Sequence, residues 1–331
     1  SFSLVFLWIL FWVIFLYSWL YFFGDNSRFD RLSRFWYITS MKKLSPTELP
    51  TEYHYYRSHA RAYANYLVHS QGSWTVLVDE VEWFGYITHY CFGLFSYAVF
   101  EKSDIEPTRE LLQKYGMKRG LVLWSGWHRD HPIGSWWLRF GYVISRSFHH
   151  STRSAFSVLD AQEYWKKWQS NMRGHRSKIH KLLQSGKISI NTNASWEEFR
   201  FAYEKTKLPH GYKRYLIYRQ NFLMDKYPED FRIFLASVDG EVLAGAIFLD
   251  DHPTSTYLIA FQNHKAKQYH LGLALIDRWF ADSYALGYRY LDFDHMKDLF
   301  DSSGYTGYTQ FKGEIADYDV RFWRVFMKLI F

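Results

Sequence analysis

An uncharged apolar run at the start of the chain constrains its fold more than any other feature. From Leu4 to Phe23 the one clearly polar residue is Ser18. About 20 apolar residues at 1.5 Å each match the hydrocarbon thickness of a bilayer, and only a helix satisfies its own backbone there. The run predicts a transmembrane helix over residues 1–24. The alternatives are a buried helix of a soluble domain and a cleaved signal peptide.

The residues after this run are basic. Arg28, Arg31, Arg34, Lys42 and Lys43 outnumber the nearby acids in a segment, residues 25–50, that reads as a juxtamembrane linker. Because positive flanks stay on the cytoplasmic side, we expect a single-pass protein of the inner (cytoplasmic) membrane with the remaining chain in the cytoplasm. The net charge of +7 suits anionic partners without choosing among them.

The rest of the chain alternates helical and strand patterns, which indicates an α/β (α+β) fold with mixed sheets. A first region over residues 51–150 carries strand patterns at 75–81, 86–91 and 120–124. In the region over 151–331, helical patterns cover 160–183 and 270–286, Ser195 and Glu198 form a capping box, and Asp239-Gly240 joins two strands. Further strands are predicted at 188–191, 256–261, 290–293 and 319–330.

This order of elements in the second region resembles the GNAT fold. The resemblance implies that the loop at residues 263–270 supplies backbone N–H groups to an anionic part of an acyl donor, since helix N-termini bind phosphate. Gly272 would permit close approach. The implied donor-binding residues are Gln268, His270, Leu271 and Gly272, together with Phe311 near the C-terminus.

A basic segment over residues 165–187 contains seven lysines and arginines and no acid. Arg173, Arg176 and His180 are close on a helix, and like charges at that spacing repel, so an anionic partner would stabilise them. Arg173, Arg176 and Lys178 are therefore candidates for binding an anionic substrate, with Lys213 and Arg214 nearby in sequence. A solvated cationic face is the alternative, and a nucleic-acid contact is consistent with either.

A more specific resemblance covers about residues 150–331. Leu159, Trp165, Arg173, Arg176 and Gly186 are similar to a signature of the Fem-type aminoacyltransferases that form peptidoglycan bridges. The hairpin strand with Gly245, the strand YLDFD at 290–294 and the FKG triplet at 311–313 also match. The resemblance implies tandem GNAT-like domains, the first one diverged, and transfer of an aminoacyl group from aminoacyl-tRNA to an amine on a lipid-linked muropeptide.

The same resemblance assigns a catalytic role to Lys312. Lys312 would stabilise the negative charge that develops on the carbonyl oxygen. The general base that keeps the amine neutral has no motif of its own, and Asp292, Asp294 and His295 at the end of a strand are the candidates. By the two-residue period of a strand, Asp292 and Asp294 share one face, and only one face can point into a cleft. We favour Asp294. No cofactor is expected beyond the acyl donor as co-substrate.

Two departures keep other functions open. The segment at 206–212 (TKLPHGY) lacks the arginine of many Fem proteins, and no inserted helical arm is visible. An acyl-CoA-dependent GNAT enzyme that modifies a polysaccharide, lipid or small amine is the first alternative. A non-catalytic, membrane-tethered protein that binds an anionic polymer is the second.

Other site types have little support. Cys91 is the single cysteine, which excludes an internal disulfide and a zinc site built on several cysteines. His128, Asp130 and His131 lack the spacing of a defined metal site, so we expect no metal. Neither a nucleophile elbow nor an NTPase phosphate loop is present.

Overall fold

The structure, a computed structural model, describes residues 42–44, 75–79, 84–90, 93–103, 107–126, 153–207, 210–296, 306–321 and 326–330. All of them belong to one unit of the chain, Met41–Phe331. The predicted membrane helix and most of its basic flank lie outside the described residues. Within the described part, no helix is long and apolar enough to cross a bilayer.

The elements alternate along the chain as an α/β protein requires. The strands are β1 Lys42–Leu44, β2 Thr75–Asp79, β3 Phe84–Tyr90, β4 Phe95–Ser103, β5 Gly120–Gly126, β6 Arg153–Val158, β7 Ile188–Asn191, β8 Phe231–Val238, β9 Glu241–Asp251, β10 Thr254–Gln262, β11 Tyr290–His295, β12 Tyr318–Arg321 and β13 Phe326–Ile330. The helices are α1 Arg109–Lys114, α2 Ser170–Gln184, α3 Trp196–Glu204, α4 His210–Lys226, α5 His264–Gln268, α6 Leu271–Ala285 and α7 Thr306–Gly313. Short 3-10 turns cover Tyr164–Lys167 and Pro228–Asp230.

An eight-stranded mixed sheet has the order β1-β12-β6-β11-β10-β9-β8-β7. The pairs β1–β12 and β10–β11 are parallel, and the other neighbours are antiparallel. Helix α6 makes the crossover between the parallel strands β10 and β11. A parallel pair needs such a crossover because its strands start at the same edge.

Aromatic and aliphatic side chains fill both faces of this sheet. On one face α3 and α4 cover a cluster that includes Phe199, Leu223 and Phe261. On the other face the ring of Trp279 in α6 stacks on Phe248 at 4.7 Å, and α2 packs behind α6. Gly245 of β9 makes room for the first cluster, because a Cβ there would come within 2.6 Å of the Phe261 ring.

The five-stranded sheet, in the order β13-β5-β4-β3-β2, repeats part of this plan. Its strands β4 and β5 are parallel and joined through α1, and its other pairs are antiparallel. Its core contains Ile87, Phe100, Leu112 and Trp124. The mixed α/β fold class is therefore confirmed, and both sheets contain a parallel pair with a helical crossover.

The two sheets do not follow the division of the sequence at residue 150 into a first and a second region. The expected single strand over 319–330 is instead two strands, β12 in the eight-stranded sheet and β13 in the five-stranded one. Lys42 and Lys43, expected in a linker, lie in β1 at the edge of the eight-stranded sheet. A strand pattern reports alternation of side chains, not the sheet in which the strand finds a partner.

Local signals in the second region predict the observed elements well. Ser195 accepts a hydrogen bond from the Glu198 N–H, and the Glu198 carboxylate accepts one from the Ser195 N–H, which confirms the capping box. Asp239 and Gly240 both adopt positive φ in the turn between β8 and β9, as a tight hairpin turn requires. The predicted helix over 160–183 is shorter, since α2 begins only at Ser170.

Candidate active site

The parallel strands β10 and β11 separate along their length. Their pairing runs from Thr254 with Tyr290 to Thr256 with Asp292, and beyond that point the described residues show no further pair although both strands continue. At the same place the register of β10 against β9 shifts between Tyr257 and Ile259, so Leu258 is the extra residue of a bulge. Bulges bend a strand and are frequent beside active sites.

Lys312 lies at the diverging end of β11. It is a residue of α7, not of a strand, and it is 5% exposed. Its ammonium donates a hydrogen bond to the backbone carbonyl of Phe293 in β11 and lies 4.6 Å from the ring centre of Tyr308. Burial lowers the pKa of Lys312 to about 8, although the carboxylates of Asp294 and Asp292 act in the opposite direction.

Asp292 and Asp294 do not share one face of β11 as the two-residue period predicts. Asp294 has φ +58°, and the register of β11 against β6 shifts between Asp292 and His295. Asp292 is buried, and its carboxylate accepts a hydrogen bond from the Asp294 N–H at 2.6 Å. Because of this bulge, Asp294 departs from the alternation of side chains along β11. Asp292 fixes the backbone, whereas the Asp294 side chain is only partly covered.

Helix α6 begins beside the other strand of the opening. The segment at 263–270, expected to be a loop, contains the short helix α5, capped by the Asn263 side chain through the Ala266 N–H. His270 then takes φ +53° and Leu271 starts α6. A Cβ on Gly272 would lie 3.1 Å from the Gln262 side chain. Gln262 ends β10, so α6 starts at the open end of that strand.

Cationic and imidazole groups surround this helix start. The ring of His175 in α2 stacks on that of His270 with centres 4.0 Å apart. Burial first, and then His175 and Lys178, lower the pKa of His270. The N-terminus of α6 therefore lies in a positive environment that α2 helps to create, which suits an anion.

The basic segment on α2 has an acidic partner inside the chain. Arg176 donates to Asp277 of α6 at 2.7 Å, His180 lies 2.9 Å from the other oxygen of that carboxylate, and Tyr164 donates to it as well. The Arg176 guanidinium also stacks over the Trp165 ring at 4.0 Å. The structure thus gives Arg176 a structural partner in Asp277, a residue that we did not single out from the sequence.

The remaining predicted residues are spread over several elements. Arg173 and Lys178 are exposed on α2, and Gln268 is exposed at the end of α5. Arg214 of α4 is exposed and donates to the Tyr218 hydroxyl, while Lys213 precedes it in the same helix. Phe311, adjacent to Lys312 in α7, is partly covered. The structure brings together Lys312 with Asp294, and His270 with Lys178 and Gly272.

Sequence reasoning missed the groups that surround the Lys312 ammonium. The Tyr257 and Tyr308 rings lie 5.8 and 4.6 Å from it. Tyr257 is partly buried, and desolvation of its hydroxyl raises the pKa of that group. The bulge at Leu258 has no sequence signal that we could use. A Tyr four residues before a Lys on a helix is a usable signal, since that spacing brings the two side chains together.

A separate cavity of about 510 Å³ lies against the start of β8. Its lining includes Trp196, Glu197, Asn221, Met224, Asp225 and Phe231. None of the residues predicted for the site lines it.

Metal ligands do not cluster in the described part of the chain, where no group of three His, Cys, Asp or Glu side chains could hold an ion. His128, Asp130 and His131 lie outside it.

The fold and the diverging strands agree with a family profile. The profile of the acetyltransferase (GNAT) domain matches residues 169–312, from the start of α2 to Lys312. This segment is similar to GNAT domains. The chain is an N-acyltransferase, and its acyl donor is a co-substrate. No curated protein sequence matches the chain.

Several solved structures are similar to the chain at low sequence identity. The crystal structure of FemX has a TM-score of 0.55 and 11% identity, and the likeness covers 81% of this chain and 90% of FemX. A conserved protein of unknown function from Bacteroides thetaiotaomicron has a TM-score of 0.49 and 8% identity, covering 83% and 92% of the two chains. A tandem GNAT protein from the clavulanic acid biosynthesis pathway has 0.39 and 9%, covering 82% and 95%. The FemX likeness extends the agreement in fold beyond the GNAT domain.

Proposed function

We propose that this N-acyltransferase moves an aminoacyl group from aminoacyl-tRNA to an amine of a lipid-linked peptidoglycan precursor. The observation that carries the proposal is the buried Lys312 at the diverging ends of β10 and β11, close to Asp294. The resemblance to Fem-type enzymes and the shared fold with FemX support this choice of donor and acceptor.

Lys312 suits the stabilisation of an oxyanion. When an amine attacks an ester carbonyl, the oxygen gains a negative charge that a fixed cation in a dry site stabilises strongly. Burial of Lys312 removes competing water, and the Phe293 carbonyl with the Tyr308 ring fixes the ammonium. With a pKa of about 8, Lys312 remains mostly protonated at neutral pH.

Asp294 is the group that we assign as general base. Its carboxylate lies close enough to Lys312 to raise that lysine's pKa, and it is not fully buried. The amine nitrogen forms a bond to the carbonyl carbon, Asp294 accepts the amine proton, and the bond from that carbon to the ribose oxygen breaks. The proton then passes to the leaving oxygen, so charge and atoms balance.

The donor's phosphate belongs at the start of α6. Its unpaired N–H groups, the His175–His270 pair and Lys178 form an anion-binding end next to Gln262 of β10. Arg173 and Lys178 are exposed on the neighbouring helix and would contact further phosphates, as a tRNA acceptor stem presents. Arg176 has no part in this contact because Asp277 holds it.

The acceptor is proposed to reach the site from a membrane. The apolar run at residues 4–23 would anchor the chain in the inner membrane as a single-pass helix with the GNAT domain in the cytoplasm. An anchored enzyme meets a lipid-linked substrate in two dimensions, which favours such an acceptor. Recovery of the full chain in the membrane fraction, and its loss from that fraction without residues 1–24, tests this point.

Donor consumption by the full chain in detergent tests the function. The protein is incubated with charged tRNAs or with a panel of acyl-CoAs, with and without a lipid-linked muropeptide. We expect charged tRNA to be consumed only with the muropeptide, and Lys312→Met to abolish consumption. Lys118→Met, at an exposed lysine after α1, is the matched control and should remain active.

An acyl-CoA donor is the second candidate, and the acetyltransferase profile over residues 169–312 favours it. CoA carries a diphosphate that fits the same start of α6. Consumption of acyl-CoA with a muropeptide-independent amine would replace the first proposal by this one. If folded protein consumes no donor of either class, the assignment of Lys312 is wrong.

A further inference from the structure

The cavity of about 510 Å³ at the start of β8 has the size of a small-molecule site. It lies between the first turn of α3 and the last turn of α4. Its floor is apolar, since Ala194, Phe231 and Ile233 are buried members of the core cluster under these helices. Its rim reaches the surface, because Glu197 and Asp225 line the cavity and are exposed. A ligand therefore has access to the cavity from solvent.

The charges around the cavity are negative. Glu197 and Asp225 are the charged side chains of its described lining, and neither has an ion pair or a side-chain hydrogen bond within the part of the chain that the structure describes. The 3-10 turn that follows α4 adds Glu229 and Asp230 beside them. Burial and the neighbouring carboxylates raise the pKa of Asp230, as a negative local potential requires. The cavity thus offers two carboxylates to a cation from outside.

The position of Asp225 is unfavourable for helix α4 itself. Asp225 lies in the last turn of α4, where a carboxylate meets the negative end of the helix dipole. Glu197, in the first turn of α3, meets the positive end and stabilises its helix in any case. Asp225 thus breaks a local rule without a visible gain in stability, which is characteristic of residues at functional sites.

Trp196 gives the cavity an aromatic wall. Its indole N–H donates to the side-chain oxygen of Asn221 at 2.6 Å, and its ring stacks on that of Phe199 with centres 5.8 Å apart, so the indole is held in place. Among aromatic side chains an indole attracts cations most strongly, and alkylated ammonium ions bind to such walls. An apolar floor, an aromatic wall and two carboxylates together favour a cation that carries an apolar group.

We propose that this cavity binds an organic ammonium ion with an apolar group, at a site separate from Lys312. In the sheet, Phe231 of β8 pairs with Leu249 of β9, which pairs with Thr256 of β10. The cavity is therefore two strand spacings, about 10 Å, away from β10. It lies on the face covered by α3 and α4, whereas α6 covers the other face. Binding here requires neither the acyl donor nor the acceptor.

The probe is benzyltrimethylammonium, a permanent cation that has an apolar ring and no nitrogen that can be acylated. Its binding to the full chain in a non-ionic detergent is measured by isothermal titration calorimetry, with protein-free micelles as the blank. We expect saturable binding to the wild type. Benzyl alcohol, which is neutral, and phenylacetate, which is anionic, should each bind about tenfold more weakly or less, because neither offers a cation to the carboxylates and the indole.

Substitution of the two carboxylates locates the site. Glu197→Gln and Asp225→Asn should each weaken binding of the probe about threefold, and the double variant about tenfold, because each change removes one negative charge. Asp225→Asn should melt no lower than the wild type, since it removes a carboxylate from the negative end of α4. Glu110→Gln, at an exposed carboxylate in the first turn of α1, is the matched control for Glu197→Gln and should bind as the wild type does.

Three results would overturn the proposal. The first is no binding of the probe by the wild type, or equal binding of benzyl alcohol, which would make the cavity an apolar cleft without preference for a cation. The second is a loss of affinity in Glu110→Gln equal to that in Glu197→Gln, which would trace the effect to the net charge of the protein. The third is unchanged affinity in the double variant, which would place the ammonium elsewhere on the chain.

Discussion

Arg176 of α2 and Asp277 of α6 form an ion pair, with Nε of the arginine 2.7 Å from a carboxylate oxygen. The Arg176 side chain is 18% exposed and that of Asp277 is 8% exposed. The pair joins the two helices that lie on the donor side of the eight-stranded sheet. Arg176, which the sequence assigns to binding of an anionic substrate, instead stabilises the packing of α2 on α6 beside the donor site.

Arg176→Leu should destabilise the protein by about 3 kcal/mol, because it leaves the Asp277 carboxylate buried with fewer partners. Urea unfolding of the full chain in detergent measures the loss. Arg173→Leu is the matched control on the exposed side of α2, with an expected change within about 0.5 kcal/mol. Equal losses in the two variants would show that the ion pair adds nothing.

The rate of acyl transfer should fall as pH rises through about 8, because Lys312 then loses the proton that stabilises the oxyanion. In Lys312→Arg the fall should disappear from the range up to pH 10, since a guanidinium stays charged there. A pH–rate profile of each protein measures this. If both proteins lose activity over the same alkaline pH range, a group other than Lys312 causes the loss.

The effect of Lys312→Met on stability is opposite to its effect on activity. The folded pKa of Lys312, about 8, lies below its ordinary 10.5, so the unfolded chain binds more protons between these values. Burial of the charged lysine costs about 3 kcal/mol below pH 8, and this cost vanishes as pH rises to 10.5. Lys312→Met should therefore be more stable than the wild type at pH 7, and the difference should shrink towards pH 10.

Asp294→Asn should lower the rate of transfer about 100-fold and leave donor affinity unchanged, because an amide cannot accept the amine proton. Asp292→Asn is the matched control on the same strand, since the amide oxygen can still accept the hydrogen bond from the Asp294 N–H. Steady-state kinetics with both substrates measure the rate of transfer and the donor affinity of each variant. A greater loss in Asp292→Asn would transfer the role of general base to that residue.

Gly272→Ala should raise the KM for the donor about tenfold, because its methyl group would lie 3.1 Å from the Gln262 side chain and narrow the approach to the start of α6. Gly174→Ala is the matched control on α2, where a Cβ meets no atom within 4 Å. That variant should gain about 0.5–1 kcal/mol of stability without affecting the donor. An unchanged KM in Gly272→Ala would place the phosphate elsewhere.

Local rules account for what could be predicted of the fold and of the site. The capping box at Ser195, the Asp239-Gly240 turn and the helices around residues 170–184 and 271–285 follow from side chains close in sequence. Lys312 and Gly272 were selected through a family resemblance, whose motifs are also local, and Asp294 was selected as a carboxylate at the end of a predicted strand.

Tertiary structure alone decided the surroundings of these residues. The sheet to which β13 belongs, the bulge at Leu258 and the positive φ of Asp294 depend on strands that pair across long stretches of sequence. The sequence also indicated that an anion would stabilise the basic segment of α2, because like charges repel at helical spacing. Only packing of α2 on α6 decided that Asp277 supplies that anion to Arg176, since a buried charge takes whichever partner the fold brings within hydrogen-bond distance.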